Sequence, residues 1–386
     1  MRKALPFTFN FLYYAAVAFI MPFLVLFYQS LGFSGAQIGL LTGITPLVTL
    51  VCSPLWTGLA DLSGRRRLVM SLSILGAILA LVAFPSFTSF AAILALAILY
   101  YAFNAPLTAF IDSATMYMLG AEKAKYGQVR VGGTIGFGVM ATVAGLLVES
   151  YGLKVAFWGG GALLLMGLLV AQKLAHNPQS AGAQAHGNFR VLFSNPPWLL
   201  FLLVALVGGI ANAGTNMYLL PYMRELGAAE SVMGLALTIG TLTEIPLMFL
   251  AHHLLRRFKP YGLLMISMLV SGLRLLVYVI VQTPEQVLLV QLLNGFTFPA
   301  LWIAGVAYSD EVAPPGLSAT AQGMFGAMVF GVGAAIGGFL GGALLETYGG
   351  RGIYLTFGTI VLASLAVAIL GMRLLPKAHS RPSCFS

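Results

Sequence analysis

The chain has 386 residues, of which 59% are hydrophobic and only 8% are charged. A soluble domain is about 25% charged, so the composition excludes an ordinary soluble protein. The net charge of +9 would suggest nucleic acid if it covered one face. Instead the basic residues sit in short loops between apolar runs, which excludes a nucleic-acid-binding surface and marks a membrane protein.

The first stretch, MRKALPFTFNFLYYAAVAFIMPFLVLF, has an apolar run longer than the core of a signal peptide, and no A-x-A site ends it. It is expected to be a retained first span. Eleven more segments near the ~20 residues needed to cross a bilayer follow it. The expected spans are 5–29, 36–57, 68–87, 90–119, 129–149, 153–174, 197–220, 232–254, 261–281, 286–309, 318–345 and 352–375. Helices are the physical choice, because lipid offers backbone groups no partner and the alternating pattern of a membrane barrel is absent.

Lys and Arg set the orientation. With the N-terminus inside, outer loops hold only Lys154, Arg224 and Arg351, while Arg130 and Arg274 lie within spans. The other fifteen basic residues fall on the inner side, which predicts two cytoplasmic termini. The longest polar stretch, 175–196, is rich in Gly, Ala, Asn and Pro and reads as a cytoplasmic linker. It divides the chain into two six-span halves, 1–174 and 197–386. Basic loops in matching positions, GLADLSGRRR after span 2 and HHLLRRFKP after span 8, suggest that the halves are related. The expected fold is therefore an all-α membrane protein of twelve transmembrane helices in two bundles.

Four charged residues fall inside spans: Asp112, Arg130, Glu244 and Arg274. Left unpaired at the helix centre they would cost roughly 10–14 kcal/mol together. Two acids and two bases can form salt bridges that only hold helices together. Alternatively they line a water-filled cavity, and helical spacing supports that reading. Asn104, Thr108 and Asp112 share a face of span 4, and Arg130, Thr134 and Phe137 a face of span 5. Span 9 carries Ser267, Ser271, Arg274 and Tyr278 in a stripe. Asn10, Tyr13, Tyr14, Asn212, Thr215, Asn216, Thr241, Asn294 and Thr297 add polar groups on other spans. Any single one of these is ordinary helix–helix glue. The glycines of span 5 (Gly132, Gly133, Gly136 and Gly138) and of span 11 read as close-packing positions.

Cys52 and Cys384 form no CxxC motif, and no HExxH, GxSxG or P-loop is present. His176, His186, His252, His253 and His379 sit in or beside inner loops or in the tail, without metal-ligand spacing. No cofactor, metal site or enzymatic activity is expected.

Twelve spans, a six-plus-six division and LADLSGRR between spans 2 and 3 resemble the major facilitator superfamily. That family's loop motif implies a gating role for Asp61, Gly64, Arg65 and Arg66. Thr57 and Leu62 depart from it, standing where the family has Gly and a basic residue. APLTAFIDS followed by YGQVRVGGTIGF resembles more closely the lactose permease and phenylpropionate permease group. The resemblance implies substrate binding by Asp112 and Arg130, and proton coupling by Glu244 with Arg274 as its partner. Phe137 stands where the sugar permeases have Trp, and Asn294 and Thr297 where they have His and Glu. Lactose itself is therefore not the expected substrate. Span 5 lacks the Gly-Pro motif of the superfamily's drug antiporters.

The resulting expectation is a monomeric secondary transporter of the cell (plasma or inner) membrane. It moves a small organic solute by alternating access, with protons as the coupling ion and the solute held near the midplane between the halves. Asp112, Arg130, Phe137, Asn104, Tyr13, Tyr14, Asn212, Asn216 and Asn294 are the expected solute contacts. An exporter or uniporter of the same fold, a non-transporting receptor and a membrane enzyme are the alternatives.

Overall fold

The computed structural model describes residues 3–175, 190–314 and 317–374. Most of the expected linker lies outside the described residues, as do His176, His186, His379 and Cys384. Among the described residues all regular structure is helical. Ten apolar helical runs among the described residues are each long enough to cross a membrane.

Proline and glycine punctuate these runs. The first span is α1 (Ala4–Ile20) and α2 (Leu24–Ser30), broken around Pro22. α3 (Gly35–Ser63) starts on a capping box, with Ser34 accepting from the Gln37 N–H and Gln37 accepting in return. It ends at Gly64, whose φ of 65° suits a residue without a Cβ. α4 (Arg66–Ala83) follows. α5 (Phe90–Asn104) and α6 (Leu107–Leu119) divide span 4 at Pro106, which has no N–H to continue the first helix. α7 (Tyr126–Tyr151) and α8 (Lys154–Ala171) turn at Gly152, where φ is 83°.

α9 (Arg190–Phe193) precedes α10 (Pro196–Met217) and α11 (Leu219–Glu225). α12 (Glu230–Ile280) is 51 residues long, more than twice the length a bilayer needs. The sequence places a loop between spans 8 and 9 here, and the structure has a single non-helical residue, Lys259 (φ 58°, ψ 161°). Pro260, the next residue, excludes the α region at Lys259 and accounts for the extended ψ; nothing in the structure explains the positive φ. α13 (Pro284–Val290) and α14 (Phe298–Val312) are joined by a 3₁₀ stretch, Gln291–Phe296. α15 (Ser318–Gly326) runs through a π-helical stretch, Ala327–Gly333, into α16 (Ala334–Leu374), which breaks at Gly349.

The chain divides into two compact units, Met1–Ala183 with Ala228–Thr238, and Gln184–Gly227 with Ile239–Ser386. In the first, α1 packs closely on α7 because α7 presents glycines to it. A Cβ on Gly132 would lie 2.8 Å from the Phe7 carbonyl, and one on Gly136 only 2.3 Å from that of Phe11. Phe84 and Phe157 stack in the core and Phe27 meets both edge to face, with centroids 4.6–6.5 Å apart. The first turns of α12 belong to this unit. Thr142 and Thr238 hydroxyls are 2.7 Å apart, and Glu149 accepts from the Ser231 N–H at 3.0 Å.

In the second unit, α10 lies against α16 and the π-helical stretch through Gly209, Gly333 and Gly337. Tyr222, Tyr278 and Tyr354 form a buried aromatic cluster. Both carboxylate oxygens of Glu225 accept from the Gly350 N–H, at 2.9 and 3.0 Å, pinning α11 to the break in α16. Burial pushes the Glu225 carboxyl above its ordinary range, more than the Gly350 N–H and the Arg351 charge pull it down.

Close approach of α1 and α7 has a direct test. Gly136→Ala forces a methyl group onto the Phe11 backbone and is expected to destabilise the protein by about 1–3 kcal/mol. The thermal midpoint of the purified protein in detergent measures this, and an unchanged midpoint would contradict the packing.

Candidate functional site

Each unit carries one polar cluster inside its apolar helices. In the first unit, the break between α5 and α6 leaves Asn104 at the end of α5, where its Nδ2 donates to the Tyr13 hydroxyl at 3.3 Å. Tyr13 meets Tyr14 edge to face at 5.1 Å. Arg130 donates from Nη2 to the Tyr14 hydroxyl at 2.6 Å, and its guanidinium lies 4.1 Å from the centre of the same ring. Gly133 makes this possible, since a Cβ there would sit 2.6 Å from both Arg130 and Tyr14.

Asp112 and Arg130 do not form an ion pair. Asp112 Oδ1 instead accepts from the Tyr126 hydroxyl at 2.8 Å. Ion pairs elsewhere among the described residues include Lys3–Glu122, Glu122–Lys125 and Asp61–Arg66. Asp112, Arg130 and Phe137 are each half-buried.

The second cluster is built on Arg274, which is 2% exposed. Its Nη1 donates to Asn294 Oδ1 at 2.7 Å and to Thr297 Oγ1 at 3.1 Å. Its Nη2 donates to the Tyr278 hydroxyl at 3.1 Å and to Gln291 Oε1. Its Nε has no hydrogen-bond partner. Every acceptor is neutral. Glu244 enters through Asn294, whose Nδ2 donates to Glu244 Oε1 at 2.9 Å and to the Gly240 carbonyl at 3.1 Å. The amide orientation is forced, because guanidinium only donates and carboxylate accepts. Asn294 thus links the expected coupling acid to the expected coupling base.

The expected contacts on α10 are divided. Asn212 and Thr215 line a cavity of about 20 Å³ together with Gly208, Ala211, Ser271, Arg274, Leu275, Thr297, Phe298 and Leu301. Asn216 is exposed and donates back to Asn212 Oδ1 at 2.6 Å. Across the turn from α3 to α4, Arg66 binds Asp61 through Nε at 2.9 Å and through Nη2, and reaches Ser113 of α6 at 3.3 Å. Arg65 is exposed, its N–H donating to Ser63 Oγ at 3.3 Å. Among the described residues no three His, Cys, Asp or Glu side chains gather as a metal site would require.

Three residues of these clusters are not singled out by the sequence. Tyr126 lies four residues before Arg130 and so shares its face, which is a usable signal. Gln291 lies on a different helix from Arg274, and no local spacing relates them. Gly133 reads as one packing glycine among several, yet its neighbours are the Arg130 and Tyr14 side chains rather than a facing backbone.

Residues 7–356 match the MFS_1 like family. An uncharacterized transporter of Bacillus subtilis, YwbF, is 27% identical over 353 residues, covering 90% of this chain and 87% of that protein. A maltose permease of Geobacillus stearothermophilus is 26% identical over 371 residues, covering 96% and 94%. A multidrug resistance protein of Salmonella dublin, MdtG, is 28% identical over 374 residues, covering 90% and 89%. The crystal structure of the nucleoside transporter NupG superposes with a TM-score of 0.86 at 19% identity, covering 96% of this chain and 99% of that one. With the match spanning most of its length, the chain belongs to the MFS_1 like family and is a membrane transporter of the major facilitator type.

Proposed function

We propose that the protein is a secondary active transporter that moves a small hydroxylated or carboxylated organic solute by alternating access and proton symport. One observation carries the reading. Asp112, Arg130 and Arg274 lie within apolar helices and are held by neutral side chains rather than by an opposite charge. A purely structural role would be served by direct ion pairs; neutral supports leave the charges for a solute and a proton.

Arg130 is the solute's main donor, pre-organised by the Tyr14 hydroxyl and ring. Asp112, steadied by Tyr126, accepts from a solute hydroxyl, and Phe137, Tyr13 and Asn104 complete the contacts. Glu244 takes the coupling proton. The Arg274 cation, one hydrogen-bonded side chain away, favours the ionised carboxylate and so its release. The charge pattern resembles the lactose and phenylpropionate permease group within the superfamily. The relatives named maltose permease and nucleoside transporter support a hydroxyl-rich solute. The relationship to MdtG supports a second reading, export through the same contacts. In this reading of the topology, α12 and the run from α15 to α16 each cross the membrane twice. They turn at Lys259 and Gly349, for twelve crossings with both termini in the cytoplasm of a plasma-membrane monomer.

A thermal-shift screen of sugars, nucleosides and aromatic carboxylates on purified protein identifies the solute class. Arg130→Ala is expected to weaken a hit by about 10- to 150-fold, the loss of one charge-assisted hydrogen bond. An undiminished shift would remove Arg130 from the site.

Glu244→Gln, reconstituted in vesicles, is expected to lose accumulation driven by a pH gradient while retaining solute counterflow. Normal uphill uptake in this variant refutes the coupling role. The direction of flux under that gradient in the unaltered protein separates import from export.

Topology is tested in a Cys52→Ser, Cys384→Ser background. A cysteine in place of Lys154 is expected to react with an impermeant maleimide in intact cells, and one in place of Arg257 only after lysis. The reverse pattern overturns the orientation.

A further inference from the structure

The two basic loops in matching positions differ in what their charges meet. In the turn from α3 to α4, Arg66 is paired with Asp61. At the break in α12, Arg256, Arg257 and Lys259 stand within four residues and are all exposed. Among the described residues no carboxylate pairs with any of the three. Arg257 lies 5.8 Å from the ring of its neighbour Phe258. These residues belong to the second unit, and neither the solute contacts nor the Glu244 cluster uses them.

The helix leading to these cations carries a face in two parts. At 100° per residue, Leu242, Pro246, Phe249, His253, Arg256 and Arg257 fall within one sector about 100° wide. All six are exposed, Phe249 by 78% and Leu242 by 56%. Glu244 lies on the opposite side of the helix, where Asn294 donates to it. The sector is apolar as far as Phe249 and then turns basic. From Leu242 to Arg256 it runs about 21 Å at 1.5 Å per residue. One leaflet with its headgroups is about 20–22 Å deep, half of a bilayer of ~40–45 Å. An apolar strip that ends on two guanidinium groups therefore matches, in order and in length, the acyl chain and phosphate of one phospholipid. Guanidinium forks also suit phosphate oxygens geometrically.

We propose that this face of α12 binds one anionic phospholipid. An acyl chain lies along Leu242, Pro246 and Phe249, and the phosphodiester meets Arg256 and Arg257. Lys259, past the end of the helix, adds charge at headgroup level. The apolar strip accepts any lipid, and the unpaired cations select among them. Phosphatidylcholine carries the same phosphate with a fixed cation beside it, which three basic residues repel; phosphatidylglycerol carries no such cation. The inference rests on the membrane setting alone and stands whether or not the protein couples transport to protons.

Native mass spectrometry of the purified full-length protein in detergent tests it, with phosphatidylglycerol and phosphatidylcholine of identical chains as probes. The first phosphatidylglycerol is expected to bind at least about tenfold more tightly than the first phosphatidylcholine. Arg256→Gln with Arg257→Gln is expected to remove that preference and leave phosphatidylcholine binding unchanged. Lys123→Gln with Lys173→Gln removes two exposed charges away from this face and is expected to keep it. Phe249→Ser is expected to weaken both lipids alike, and glycerol phosphate without chains is expected not to compete. Equal affinity for the two lipids, or the same loss of preference in the lysine pair, overturns the site. Competition by glycerol phosphate as strong as by the lipid reassigns the cations to a free phosphate and overturns the lipid, as does a dimer that excludes lipid and is lost in Phe249→Ser. Unchanged lipid affinity in Phe249→Ser overturns the placement of the chain.

Discussion

A backbone amide in hydrocarbon has no water to turn to, and leaving one unsatisfied costs several kcal/mol. That constraint decides both the helical architecture and where polar side chains gather. A helix satisfies its own backbone until it breaks, and at a break the freed groups need a side chain. Between α13 and α14 the Gly295 N–H donates to the Thr243 hydroxyl at 3.1 Å, and the Thr297 hydroxyl donates to the Asn294 carbonyl at 2.6 Å. The same interruption carries Gln291, Asn294 and Thr297 to Arg274. In the first unit the break before α6 places Asn104 against Tyr13. Irregular backbone and polar function therefore share one physical cause.

The two arginines within the spans are stabilised in different ways. Arg274 is enclosed, and neutral oxygens take up its terminal nitrogens. Arg130 is half-buried and lies over the Tyr14 ring, combining one short hydrogen bond with a cation–π contact. The first arrangement holds a charge fixed in a low-dielectric place, suited to governing a neighbouring proton. The second leaves a charge half-exposed, which the proposed function assigns to the solute. A glycine determines the available space at Arg130 but not at Arg274. Gly133 leaves room for the Arg130 and Tyr14 side chains, whereas Gly240 lies where a Cβ would be 3.5–3.7 Å from Gln291 and Asn294.

Several other helix glycines act through backbone proximity. Gly136 meets the Phe11 carbonyl, Gly209 the Val329 carbonyl and Gly333 the Leu206 carbonyl, each at 2.3–2.4 Å from where a Cβ would be. Lipid tails are as apolar as leucine, so helix association in a membrane draws on close packing rather than on water exclusion. Bare backbone faces allow that approach.

Apolar periodicity, proline and basic loops were enough to read the helical class, the membrane setting and most helix limits. These properties depend on a residue and its immediate neighbours, or on the solvent it must face. The four intramembrane charges were legible for the same reason, since their desolvation cost is visible residue by residue. What each charge touches was not legible. Asp112 with Tyr126, Arg130 with Tyr14, and Arg274 with Gln291 are pairings across separate helices, and helix rotation and spacing decide them. The sequence left direct acid–base pairs and a polar cavity as alternatives, and the tertiary structure put a tyrosine on Asp112 and an asparagine between Glu244 and Arg274. Local rules show which groups need partners; only the packing of one helix on another selects them.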